Sequence, residues 1–73
     1  MTSFKEICEM WGDDRALAED VGQSLFAVQK WRIRNKIPAH QWRGLVDAAQ
    51  RRGFSQITLE LLARVAEQRA SAA

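Results

Sequence analysis

The run from Arg15 to Trp31 constrains this chain more than any other stretch. Ala18 is followed four residues later by Gly22, and Val28 and Trp31 are spaced three residues apart beyond it. Leu17 and Val21 fill apolar positions around Ala18. A small residue on one helix lets a second helix cross it closely. A glycine can take the positive φ that a tight turn needs. Val28 and Trp31, one helical turn apart, then fall on one buried face. The pattern predicts two short helices joined by a tight turn, a helix-turn-helix.

With 73 residues, the chain predicts one domain, spanning residues 1–73, with a small core. Hydrophobic residues make up 47%, enough for a folded domain rather than a disordered one. Cys8 is the single cysteine, so no internal disulfide is available, and His40, the single histidine, cannot complete a zinc site with it. No metal is expected. The N-terminal stretch MTSFKEICEMWG lacks the basic start and apolar run of a signal peptide. No apolar stretch approaches the ~20 residues of a membrane span. A reducing cytoplasmic setting, next to the nucleoid, is the expectation.

Charge is distributed unevenly. Residues 1–20 hold Lys5 and Arg15 against Glu6, Glu9, Asp13, Asp14, Glu19 and Asp20. Residues 21–46 hold Lys30, Arg32, Arg34, Lys36 and Arg43 and no acid. The positive field thus falls on the second helix of the motif and just beyond it. A solvated helix face is the ordinary reading of such a run. Its coincidence with the helix-turn-helix pattern favours a nucleic-acid surface.

Five helices account for nearly the whole chain. Ser3 and Glu6 have capping-box spacing ahead of Phe4, Ile7, Cys8 and Trp11, and Gly12 is expected to end that helix. Asp13 or Asp14 caps the second helix, which runs to about Val21. Ser24 caps the third, from Leu25 to about Asn35. The motif therefore spans residues 14–35. Pro38 suits the first turn of helix four, which carries Trp42, Leu45, Val46 and Ala49 and ends at Gly53. Thr58 caps a last helix over residues 58–70, with Leu59, Leu62, Val65 and Ala66 along one side. These four either close the core or form a dimer surface. Ile57-Thr58-Leu59 is too short to count as a strand. Trp11, Trp31 and Trp42 are expected in the core, and Cys8 there as a small buried hydrophobe.

The segment LAEDVGQSLFAVQKWRIRNKIP, Leu17 to Pro38, resembles the Cro/repressor class of phage and prophage helix-turn-helix proteins. Its tryptophan, basic residues and Ile-Pro are similar to the small YdaS/Cro-like subgroup. The resemblance implies a compact, all-α, five-helix domain of the lambda-repressor-like type. It implies a dimeric transcriptional regulator of the repressor kind, binding double-stranded DNA at a palindromic operator, without cofactor or small-molecule ligand. The chain departs from the family pattern in two places. Gln23 follows the turn glycine where an apolar residue is usual, and Asp13-Asp14 open helix two where a phosphate-binding residue is common.

Helix three divides by angle, at ~100° per residue. With Val28 and Trp31 inward, Phe26, Gln29, Lys30 and Ile33 point outward, and Leu25, Arg32 and Arg34 lie on the flanks. The resemblance assigns base reading to Leu25, Phe26 and Lys30, with Gln29 and Ile33 as neighbours. Lys30 can donate to guanine O6 or N7, and Gln29 can pair with adenine. The outward apolar pair meets thymine methyl groups or another protein surface, unless the helix is rotated differently. Phosphate contacts are expected from Arg15, Gln23, Ser24, Arg34 and Lys36, and from His40, Gln41 and Arg43 at the start of helix four. For His40 and Arg43 a plain solvated role stands beside the phosphate role. The alternative function is a helical protein-interaction module, an adaptor or inhibitor, using the outward face of helix three. No paired carboxylates, nucleophile–base pair or phosphate-binding loop suggests an enzyme.

Overall fold

The computed structural model describes residues 3–72. Its elements are α1 (Phe4–Glu9), α2 (Asp14–Val21), α3 (Leu25–Arg34), a 3-10 turn (Ala39–Gln41), α4 (Trp42–Arg51) and α5 (Leu59–Ala72). No strand occurs among the described residues, and no helix there is long and apolar enough to cross a membrane. The described residues are all-α and compact, with five α-helices.

The helix starts follow from side-chain caps, each satisfying a backbone donor that the helix itself leaves free. Ser3 Oγ accepts from the Glu6 N–H at 3.1 Å, and an Asp13 carboxylate oxygen accepts from the Ala16 N–H at 2.7 Å. Ser24 Oγ accepts from the Ala27 N–H at 3.1 Å, and Thr58 Oγ1 from the Leu61 N–H at 3.1 Å.

Three helices end alike. Gly22, Asn35 and Gly53 adopt left-handed backbone, with φ of 70°, 53° and 82°. In each case the next N–H turns back to the last turn: Gln23 to the Ala18 carbonyl at 3.0 Å, Lys36 to Trp31 at 3.0 Å, Phe54 to Ala49 at 2.8 Å. Asn35 is the non-glycine member, a role its short polar side chain tolerates.

Two boundaries differ from the sequence expectation. Helix α1 stops at Glu9 rather than Gly12, because the Trp11 and Gly12 N–H groups reach back only three residues, to Cys8 and Glu9. Pro38 lies ahead of helix four rather than in its first turn. The 3-10 turn intervenes, and the Trp42 indole N–H donates to the Ile37 carbonyl at 2.8 Å, pinning the connection.

The core is a single cluster. Phe4, Ile7 and Cys8 come from α1, Leu17 and Ala18 from α2, and Val28 and Trp31 from α3. Leu45, Ala48 and Ala49 come from α4, and Leu62 and Val65 from α5. Trp11, Ile37 and Ile57 enter from the connections. Each large side chain fully removed from water contributes roughly 1.5–3 kcal/mol, and a domain this small has few of them. The rings of Trp11 and Phe54 meet edge-on at 5.1 Å, and Phe4 and Trp42 lie 6.2 Å apart.

The last helix is therefore not a spare apolar face. Leu62 and Val65 are buried in the core and Ala66 is half-buried against it, so none of them offers a free dimer surface. Of the four, Leu59 alone is exposed, at 44%. The reason is geometric: α5 packs on α4, where Leu45, Ala48 and Ala49 need a lid.

Candidate nucleic-acid interface

Helix α3 is held from both ends and along one side. Its N-terminus is capped by Ser24. Asn35, which caps its C-terminus, accepts the Lys5 backbone N–H on its side-chain oxygen at 2.9 Å, and its carbonyl accepts from Arg69 Nε at 2.9 Å. On the side facing α2, Arg32 grips Asp14. Arg32 Nε and a terminal guanidinium nitrogen donate to the two carboxylate oxygens, at 3.0 and 2.9 Å. This forked geometry fixes orientation as well as distance. It also neutralises Asp14, one of the two acids at the start of α2, whereas Asp13, which caps α2, remains an exposed carboxylate without an ion pair among the described residues.

The rotation of α3 agrees with the expected one at Phe26, Lys30 and Ile33 but not at Gln29, which is expected to point outward. Val28 and Trp31 are buried, Phe26 is 66% exposed and Ile33 is 75% exposed. Lys30 is exposed too, while Leu25 and Gln29 are half-buried on the flank. The Lys30 ammonium sits over the Phe26 ring, 4.5 Å from its centroid. Such a contact contributes about 0.5–1 kcal/mol at an exposed site. Phe26, Lys30 and Ile33 thus form one outward stripe.

The expected phosphate ligands divide into groups. Arg34 and Lys36 are exposed and share a cleft of about 250 Å³ with Lys30, floored by Ala27, Trp31 and Pro38. Arg15, on the first turn of α2, is exposed. Gln23 and Ser24 are exposed in the α2–α3 connection, and the Ser24 hydroxyl, which accepts the Ala27 N–H, keeps its own O–H to donate. His40 and Gln41 lie in the 3-10 turn and Arg43 in the first turn of α4; His40 and Arg43 are exposed and Gln41 is half-buried. Of the five cations between residues 21 and 46, Arg32 is neutralised by Asp14. Lys30, Arg34, Lys36 and Arg43 have no ion pair among the described residues. Four unpaired cations on an acid-free segment attract an anion.

Away from this face, Asp20 gathers a second constellation that sequence reasoning missed. It accepts the Trp11 indole N–H at 2.8 Å and a short ionic hydrogen bond from Arg52, whose other nitrogen reaches it at 3.3 Å. Arg51 donates to the Asp20 carbonyl at 3.0 Å. The Arg52 guanidinium, followed by the Trp11 N–H, holds the Asp20 carboxyl below its ordinary range. Burial, aided by the nearby Asp14 charge, pushes the Cys8 thiol up to about 12, which leaves it unionised and unreactive at neutral pH. Among the described residues no cluster of three His, Cys, Asp or Glu side chains is placed to hold a metal ion.

Comparison with known proteins adds no family to this geometry: no family model, curated protein or solved structure matches the chain.

Proposed function

We propose that this chain is a duplex-DNA-binding transcriptional regulator, a helix-turn-helix protein of the Cro/repressor kind in which α3 enters the major groove. The observation that carries the reading is the outward face of α3 and the segment after it: exposed, free of acids, and bearing Lys30, Arg34 and Lys36 without ion-pair partners. Phosphates neutralised by Arg34 and Lys36, and by Arg43 or Arg15, set register, and the stripe on α3, Lys30 included, reads base edges. Two copies on a palindromic operator supply the affinity that one small module lacks. Occupancy of the operator excludes or repositions RNA polymerase.

The test is binding to duplex DNA across a range of salt. With ~4–6 phosphates neutralised per pair of chains, log K is expected to fall with log salt at a slope of about −4 to −5. Lys36→Ala is expected to weaken all sequences nearly equally and to flatten the slope by about one per monomer. Lys30→Ala is expected to erode discrimination at one base pair of each half-site, by about 1–3 kcal/mol for a bidentate-quality contact. A flat salt dependence would overturn the reading. It would favour the protein-interaction module instead, for which the exposed Phe26 and Ile33 are the motivating feature.

A further inference from the structure

The apolar side chains on the outward face of α3 call for a ligand of their own chemistry. Among the described residues, Phe26, Ile33 and Leu59 are the large hydrophobic side chains left exposed. Two of the three lie on α3, seven residues apart. Seven residues make nearly two full turns, so Phe26 and Ile33 stand almost in line, about 10.5 Å apart along the helix axis. Lys30 lies between them, its ammonium stacked on the Phe26 ring. Arg34 and Lys36 border the same edge of the line through the shared cleft.

From this arrangement we infer that Phe26 and Ile33 read thymine, each packing on the C5-methyl group of a thymine in the major groove, two or three base steps apart. The inference rests on the duplex-DNA reading above and names what that surface selects. The apolar line is one side chain wide and flanked by unpaired cations. A thymine methyl is an apolar spot of matching size, set among polar base edges and between phosphates. A protein partner fits less well. A stable protein interface buries about 800 Å² on each side, far more than two side chains can offer. Their neighbours Lys30 and Arg34 would also have to be paired or desolvated there.

The experiment uses a duplex selected from a random pool by the full chain, then resynthesised with deoxyuridine replacing one thymidine at a time. Deoxyuridine keeps the base pair and removes only the methyl group. Two positions per half-site are expected to lose about fourfold in affinity, the equivalent of exposing one methyl group. Phe26→Ala is expected to abolish the loss at one of these positions and Ile33→Ala at the other. In each variant the second position keeps its response. Both side chains are exposed, so unchanged melting curves are expected for the two variants. Deoxyuridine without effect at every position, with the salt slope intact, would overturn thymine reading and leave DNA binding standing. So would methyl sensitivity that survives in both variants. Loss of duplex binding altogether, with a protein partner cross-linked at position 26 or 33, would overturn both.

Discussion

Asp20 joins three segments of this molecule. Its carboxylate is shared between the Trp11 indole N–H and the Arg52 guanidinium, and its carbonyl takes Arg51. It thereby ties the end of α2 to the end of α4 and to the loop after α1. Because Arg52 and Trp11 hold the folded carboxyl below its ordinary value of 3.8, the unfolded chain binds a proton more readily than the fold does. The stabilisation is therefore complete at neutral pH. It fades as pH falls below that ordinary value and is gone once the folded carboxyl is protonated. Asp20→Ala is expected to cost roughly 1–3 kcal/mol at neutral pH, since it leaves the Trp11 N–H and Arg52 without their acceptor. Urea unfolding of both forms down the acid limb checks this: the gap between them should close as pH drops. A gap that stays constant into acid would show that the lost term is packing rather than charge. None of this constellation was legible in the sequence. Residues 11, 20 and 52 follow no periodicity, and ion pairs between distant segments leave no local signal.

At the scale of elements, the helix-turn-helix geometry depends on how each helix stops. Gly22 ends α2 at φ 70°, and a Cβ added there would meet nothing within 4 Å. The cost of a side chain at this position is then conformational alone, about 1–2 kcal/mol for an L-residue in left-handed backbone. Gly22→Ala is expected to lower stability by that amount in chemical denaturation, and Gly22→Asn by less. Equal losses for the two would point to a distorted α2–α3 turn instead. This layer of the fold was legible in advance. Ser3, Ser24 and Thr58 cap where their spacing predicts, Asp13 rather than Asp14 takes the α2 cap that the sequence left open between them, and the Val28–Trp31 pair marks the buried side of α3. What the spacing could not convey was competition between elements. Leu62 and Val65 carry the same apolar pattern whether they face a partner or a core. Only the packing of α5 on α4 decides between the two. Likewise, Arg32 and Arg34 look equivalent in sequence, yet Asp14 captures one and leaves the other free.

For the molecule as a whole, the burial of Leu62 and Val65 changes what self-association can rest on. Of the exposed large apolar side chains among the described residues, Phe26 and Ile33 lie on the proposed DNA face, which leaves Leu59. A single such residue falls far short of the roughly 800 Å² per partner that a stable dimer buries. The chain measures 31 × 25 × 21 Å, so two copies fit side by side on half-sites one helical turn, ~34 Å, apart. Their mutual contact then adds to DNA binding that each copy already makes, and a small interface suffices because the duplex supplies the effective concentration. Sedimentation of the free chain at ~10 µM, a concentration at which a standard-sized interface holds, is expected to show a monomer. The same chain on a palindromic duplex is expected to bind with two copies and positive cooperativity. Leu59→Glu is expected to reduce that cooperativity and to leave binding to an isolated half-site unchanged. A free chain that sediments as a tight dimer would mean that a surface other than α5 carries the pairing. In that case Phe26 and Ile33, the remaining exposed apolar pair, would be its first candidates, and the face of α3 would be unavailable for DNA.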